Sequence, residues 1–180
     1  MKTIIALFLA VMISHSSFSQ IYMTRSAHIS FFSVTPMENI KAVNDQVYAV
    51  IDAGKKNIAF TLLIKSFQFE KELMQQHFNE NYIESDKYPK ASFSGSFTGD
   101  VNTATDGVYN VTVKGNLTIH NVTKPVEAPA TLEVKNGHLI GKTQLKVKAE
   151  DYNISIPALV REKIAKEITI DVLADCTLKK

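Results

Sequence analysis

The chain alternates apolar and polar residues along most of its length. Ala91, Phe93, Gly95 and Phe97 fall on one face of a strand, with Ser92, Ser94 and Ser96 on the other. Val111, Val113, Gly115, Leu117 and Ile119 repeat the pattern against Thr112, Lys114, Asn116, Thr118 and His120. Ile58, Phe60, Leu62 and Ile64 do so earlier, and Ile168, Ile170, Val172, Ala174 and Cys176 do so at the end. A period of two means antiparallel strands with one dry face and one wet face. The pattern predicts strands over Arg25 to Val34, Ile40 to Val43, Val47 to Ile51 and Asn57 to Ile64. More begin at Lys90, Val108, Val126 and His138, and Glu167 to Thr177 closes the chain. Asp52-Ala53-Gly54-Lys55 marks a turn, and Asn136-Gly137 a tight hairpin.

Two segments break the alternation. In Phe69 to Phe78 the apolar residues recur at three and four, which predicts one short amphipathic helix. Tyr152 to Lys163 is an apolar loop in which Pro157 can open a helical turn through Ala158, Leu159 and Val160. The count is eight or nine strands and one helix. A sheet that large, dry on one face and without helices to cover it, must curl or stack. The expected fold is all-β, an antiparallel barrel of about eight strands. Closure removes the sheet edges and leaves an interior just wide enough for side chains or one slender ligand.

Tyr88-Pro89-Lys90-Ala91-Ser92-Phe93 and Lys114-Gly115-Asn116-Leu117-Thr118-Ile119-His120-Asn121-Val122-Thr123-Lys124-Pro125-Val126 resemble the YceI-like family of secreted bacterial proteins. There a tyrosine-proline pair leads into a strand, and a G-x-L-T-[IL]-H-G-V-T-[KR]-x-V hairpin follows. The likeness extends loosely from about Arg25 to Thr177. Asn121 stands where the family usually has Gly, and Asn also tolerates positive φ. The opening His28-Ile29-Ser30-Phe31-Phe32 matches the family's first strand only approximately. The resemblance implies a lipocalin-like barrel holding a long apolar chain, a polyprenyl-type lipid such as an isoprenoid quinone or its precursor.

The 180 residues, 45% apolar and 21% charged, suit one domain with a sizeable core. A net charge of +2 is too balanced to point to nucleic acid. Lys2, the apolar run Ile4 to Ile13 and the small residues Ser17 and Ser19 read as a secretory signal cleaved before Gln20. That divides the chain into a signal peptide, 1–19, and a barrel domain, 20–180, with a periplasmic or secreted location. An uncleaved anchor is the competing reading. Cys176, the single cysteine, forms no internal disulfide and reads as a small buried hydrophobe.

Catalytic signatures are missing: no H-E-x-x-H, no G-x-S-x-G and no phosphate-binding glycine loop. His28, His77, His120 and His138 lie far apart and form no close metal-type pair. The expectation is a protein that is no enzyme, with no metal and no cofactor beyond a bound polyisoprenoid. His120 reads as an outer-face residue bonding its turn, and His77 as a helix-end residue or a head-group contact. Lys142, Lys146 and Lys148 form a basic stripe that is either plain surface or a transient contact with anionic membrane lipid.

The candidate ligand wall is the inward apolar set Phe60, Leu62, Phe93, Phe97, Val113, Leu117, Leu132, Leu145 and Ile170. Plain core packing is the competing reading at every one of them. Gly95, Gly115, Gly141, Ala128, Ala130 and Ala149 share the inward faces. Small residues there either open a tunnel or let strands approach at bends. The first reading makes the protein a carrier of a long-chain amphiphile. The second makes it a filled barrel acting through its outer face and loops, without a lipid.

Overall fold

The computed structural model describes residues 20–179. The expected secretory segment, 1–19, lies outside the described residues. Nine strands form one antiparallel sheet: β1 Ile21–Val34, β2 Asn39–Asp52, β3 Asn57–Leu63, β4 Gln68–Phe69, β5 Lys90–Thr98, β6 Gly107–Ile119, β7 Val122–Lys135, β8 His138–Val147 and β9 Ile168–Leu178. Eight of them close a barrel in the order β1-β9-β8-β7-β6-β5-β3-β2, and β2 pairs back to β1. The two-residue β4 hangs on β2 through Ala42 opposite Phe69. The register carries the sequence alternation round the barrel: Phe60 stands opposite Phe93, Phe93 opposite Leu117, and Leu145 opposite Ile170.

The hairpin turns follow from backbone chemistry. His120 and Asn121 both have positive φ, 51° and 58°, as a two-residue primed turn requires. Asn136 and Gly137, at 52° and 79°, make the second such turn. Asn121 thus keeps the turn that a glycine would supply at lower cost.

The alternation predicts two strands at Ile40–Val43 and Val47–Ile51, but β2 is one strand of 14 residues. Asn44 explains the interruption. It is fully buried; its Nδ2 donates to the Leu63 carbonyl at 3.0 Å and its Oδ1 accepts from Gln46 N–H at 2.9 Å. The side chain stands in for ladder bonds where β2 passes from β3 to β4. Asn44→Leu is expected to cost about 2–4 kcal/mol in urea denaturation, since it strands both groups. A loss below about 0.5 kcal/mol would show that the backbone reorganises to pair them.

The predicted ten-residue helix is shorter. α1 spans Glu72–His77 and passes into a wider turn, Phe78–Tyr82, while Phe69 belongs to β4. Lys71 at the cap position makes no side-chain bond to the helix, and α1 buries no residue. The recurrence of Phe69 and Phe78 instead serves an aromatic cluster described below.

The barrel is filled at one end. Ile51, Leu132, Leu139 and Cys176 are at most 2% exposed there. Burial, with Asp175 adding to it, pushes the Cys176 thiol up to about 12, so it stays protonated and inert at neutral pH. The other end, where β1 leads into β2 and β6 into β7, is hollow.

Candidate functional site

Strand alternation turns Leu62, Ala91, Leu117 and Ile170 toward the barrel axis. At their level the filled core stops. On the β1–β2 hairpin side lies a cavity of about 510 Å³. Toward the filled end lies a smaller one of about 110 Å³. Ile29, Leu62, Ala91, Leu117 and Ile170 line both, so the two cavities adjoin at this level, the neck of a stepped hollow. Its walls are almost wholly hydrocarbon.

Two segments roof the wide part. The first is β4 with α1, clamped by four phenylalanines. Phe31 of β1 lies 5.2 Å from Phe67, 5.8 Å from Phe69 and 5.4 Å from Phe78, and Phe69 lies 5.1 Å from Phe78. These offset and edge contacts hold a helix that has no side-chain cap at its N-terminus and no fully buried residue. Lys71 adds an ion pair to Glu38 of the β1–β2 hairpin at 3.1 Å. The second segment is the chain from Ala149 to Ile164, which contributes Tyr152, Ile154, Ile156 and Val160. Ser33 Oγ accepts from Ala165 N–H at 2.8 Å and ties this segment to β1.

The predicted wall residues separate into three groups. Leu62, Leu117 and Ile170 line both parts of the hollow. Phe60, Phe93, Val113, Leu132 and Leu145 line the narrow part only. Phe97 lines neither; it sits opposite Val113, 2% exposed, in the filled end. Four strand residues beyond Phe93 carry it about 13 Å along β5, or about 10 Å down the axis at the usual strand tilt. The roof residues Phe31, Phe67, Phe78, Ile83, Ile154 and Ile164 are absent from the sequence-derived set. Phe31 stands in phase with Ile29 and Ser33 inside β1, so the two-residue period signals it; the other five lie outside the alternating strands, where that period carries no signal. The crowding of Phe67, Phe69 and Phe78 was the available clue.

The small residues also divide. Gly95 faces Gly115 across β5 and β6. A Cβ on Gly115 would meet Ser94 O at 2.5 Å and Phe93 Cζ at 2.6 Å. These glycines let the strands and the Phe93 ring close up; they do not widen the hollow. A Cβ on Gly141 would find only ordinary contacts at 3.5 Å.

His120 is not an outer-face residue. Its side chain is 9% exposed, because the turn that holds it folds inward under the roof. Nδ1 lies 3.0 Å from the Tyr152 carbonyl and, as N–H, donates to it. The ring packs edge-on to Tyr88, centroids 4.1 Å apart. Nε2 is buried without a hydrogen-bond partner, 3.5 Å from a Glu84 carboxylate oxygen. Lys87, with help from His120, holds the Glu84 carboxyl below its usual range. One ring thus joins the β6–β7 turn to both loops beside the cavity. His120→Ala is expected to cost about 1–2 kcal/mol. Amide exchange should speed up in 84–88 and 150–154 and stay unchanged in β7 and β8. Uniform acceleration through the whole barrel would refute this local role.

The other histidines sit apart. His28 pairs with Asp45 and His138 with Asp175 on the surface, both at 2.6 Å. His77 stands exposed at the C-terminal end of α1 and on the cavity rim. Among the described residues no three His, Cys, Asp or Glu side chains are grouped to hold a metal ion. Of the basic stripe, Lys142 pairs with Glu133 at 3.3 Å and Lys146 with Glu167 at 3.7 Å. Lys148 turns instead to the cavity rim, where Lys163 also stands.

A closed eight-stranded barrel, filled at one end, hollow and apolar at the other and roofed by a short helix, is a lipocalin-like barrel. The model of the YceI-like domain matches residues 13–175, and the chain belongs to that family. No curated protein matches it in sequence. Among solved structures it resembles a polyisoprenoid-binding domain from Saccharophagus degradans implicated in plant cell wall breakdown. That match has a TM-score of 0.75 at 13% identity, over 89% of this chain and 99% of that one. It also resembles Burkholderia cenocepacia BcnA, with a TM-score of 0.68 at 17% identity, over 82% and 94% of the two chains. The Campylobacter jejuni YceI protein gives 0.64 at 19% identity, over 79% and 87%. At these identities the likeness is one of fold.

Proposed function

We propose that the protein is a carrier for one long-chain amphiphile of the isoprenoid or fatty type, such as an isoprenoid quinone or its precursor. The apolar tail lies in the stepped hollow, with the head group at the rim near His77, Lys148 and Lys163. The observation that carries this reading is the hydrocarbon-lined cavity of about 510 Å³, which shares its inner wall residues with a second of about 110 Å³ toward the barrel centre. Ten buried methylenes contribute roughly 8 kcal/mol before ordering costs, so affinity needs no charged anchor. The solved relative described as a polyisoprenoid-binding domain supports the choice of tail. The protein works by binding, and its lipid is cargo, not a cofactor. In this reading residues 1–19 direct export and are removed near Ser19 and Gln20, and the barrel of residues 20–180 acts in the periplasm or outside the cell.

Solvent extraction and mass spectrometry of the natively purified protein test the reading. One lipid with a long hydrocarbon tail, near one per chain, is the expected result. A lipid-free protein that also takes up no added isoprenoid would overturn it, and the outer face and loops would become the working surface.

A further inference from the structure

We propose that the hollow end of the barrel is a docking face for a bilayer surface containing anionic lipid. The purpose of such a face rests on the carrier reading above, but its test does not.

Four large apolar side chains stand out at this end. Val34 and Met37 lie at the β1–β2 hairpin and are 65% and 61% exposed. Leu73 on α1 is 61% exposed, and Leu159, in the turn Ala158–Lys163, is 96% exposed. Single exposed leucines are ordinary. Here three segments far apart in sequence each raise one or two around the same opening. Leu73 itself lines the cavity, as do Glu38 of the hairpin and Val160 of the turn. The exposed apolar surface is therefore continuous with the cavity wall.

Charge sets the orientation. Arg161, Lys163 and Lys166 follow Leu159, with Lys148 close by on the rim, and none of the four joins an ion pair among the described residues. Glu162 is the acidic residue inside that run, Glu167 next to it is taken by Lys146, and the exposed Glu150 and Asp151 offset Lys148, so the basic excess lies in the stretch from Arg161 to Lys166. The helix lip, with Glu70, Glu72 and Glu80, has the opposite character. The Leu159 lip is thus the one that faces anionic head groups, and a basic lip beside apolar tips suits the bilayer interface. The side-wall lysines Lys142 and Lys146, already paired, are poorer candidates.

The shape favours a bilayer over a protein partner. The tips rise from three separate segments around an opening, two from the β1–β2 hairpin and one each from α1 and the Ala158–Lys163 turn. Separate tips enter among acyl chains without needing a complementary surface. A lipid tail leaving the bilayer past Leu73 would also meet hydrocarbon all the way into the hollow, avoiding transfer through water.

The test uses residues 20–180, which contain every strand of the closed barrel, and flotation with vesicles free of any isoprenoid. Binding is expected on vesicles of phosphatidylethanolamine and phosphatidylglycerol, and should be weaker on phosphatidylcholine alone. The double variant Met37→Glu, Leu159→Glu should bind the anionic vesicles at least tenfold more weakly. Neither residue lines the cavity, so its melting temperature and its extracted lipid should match those of the unaltered protein. Val108→Glu, at the filled end and equally exposed as Val34 at 65%, should bind as the unaltered protein does. No vesicle binding, equal binding to both vesicle types, or equal loss in the Val108 variant would each overturn the docking face. A protein that is lipid-free and takes up no added isoprenoid, yet still binds anionic vesicles through Met37 and Leu159, would sink the carrier reading and leave the docking face standing.

Discussion

Ala91→Trp is expected to shorten the longest chain that the barrel will hold. Ala91 lines both parts of the hollow and stands opposite Leu62 on β3. An indole there fills the neck without placing a charge in the core. The wide part above remains, so short amphiphiles should bind as before. Long ones lose the narrow part. If about four methylenes are forced out, the loss is roughly 3 kcal/mol, or about 200-fold in affinity. Titration with a series of isoprenoids of rising length is the direct measurement. Affinity should climb with length in the unaltered protein and level off early in the variant. Parallel curves would mean that the tail never passes the neck. Leu117→Arg at the same level should remove long-chain binding altogether, because a guanidinium there is desolvated without a partner. Its melting temperature must be measured alongside, since the same charge also weakens the barrel.

Gly115→Ala should give one of the largest losses of stability, about 3 kcal/mol, while Gly141→Ala should lie within about 1 kcal/mol of the unaltered protein. Both glycines face inward on strands, and their surroundings separate them. At Gly115 the added methyl meets a backbone oxygen and the Phe93 ring tip at about 2.5 Å, and Gly95 Cα at 2.6 Å. Two of these neighbours are backbone and do not swing away. At Gly141 the methyl rests on Ile51 and Leu132 at 3.5 Å, ordinary packing distance. Alanine there also lowers the entropy of the unfolded chain. Chemical denaturation of the two variants checks the pair. Equal effects would show that β5 and β6 can separate without loss and that their close approach is incidental.

The barrel was legible in the sequence because a strand exposes its two faces in strict turn. Ile58 to Ile64, Ala91 to Phe97, Val111 to Ile119 and Ile168 to Cys176 each point one way, and each does so in the structure. The primed turn at Asn136-Gly137 was legible for a different reason, since few residue pairs accept positive φ twice; the one at His120-Asn121 was legible through the family resemblance, with Asn121 in place of its glycine. Where long-range contacts decide, local pattern failed. Asn44 looks like a break in β2 because its polarity is local, while its partner Leu63 is 19 residues away. Phe69 and Phe78 look like a helical stripe because their spacing is helical. They touch each other and both pack on Phe31 of β1, far away in sequence. His120 looks like a wet-face residue because it follows Thr118 in phase, yet Tyr152, Tyr88 and Glu84 bury it.

By itself, then, the sequence determined which residues face the axis, where a tight hairpin turns, and that an antiparallel sheet of this size must curl or stack; closure into one barrel is seen in the pairing of β2 back to β1. It did not determine where along the axis the interior is solid and where it is open. Phe97 and Leu117 carry the same signal, an apolar residue in phase on an alternating strand. One is sealed in the filled end and the other stands at the neck of the cavity. Only the tertiary structure separates them. Interior volume depends on which side chains arrive at the same height from eight strands, and on a roof built from segments with no period. That is a property of register and packing, and no single strand encodes it.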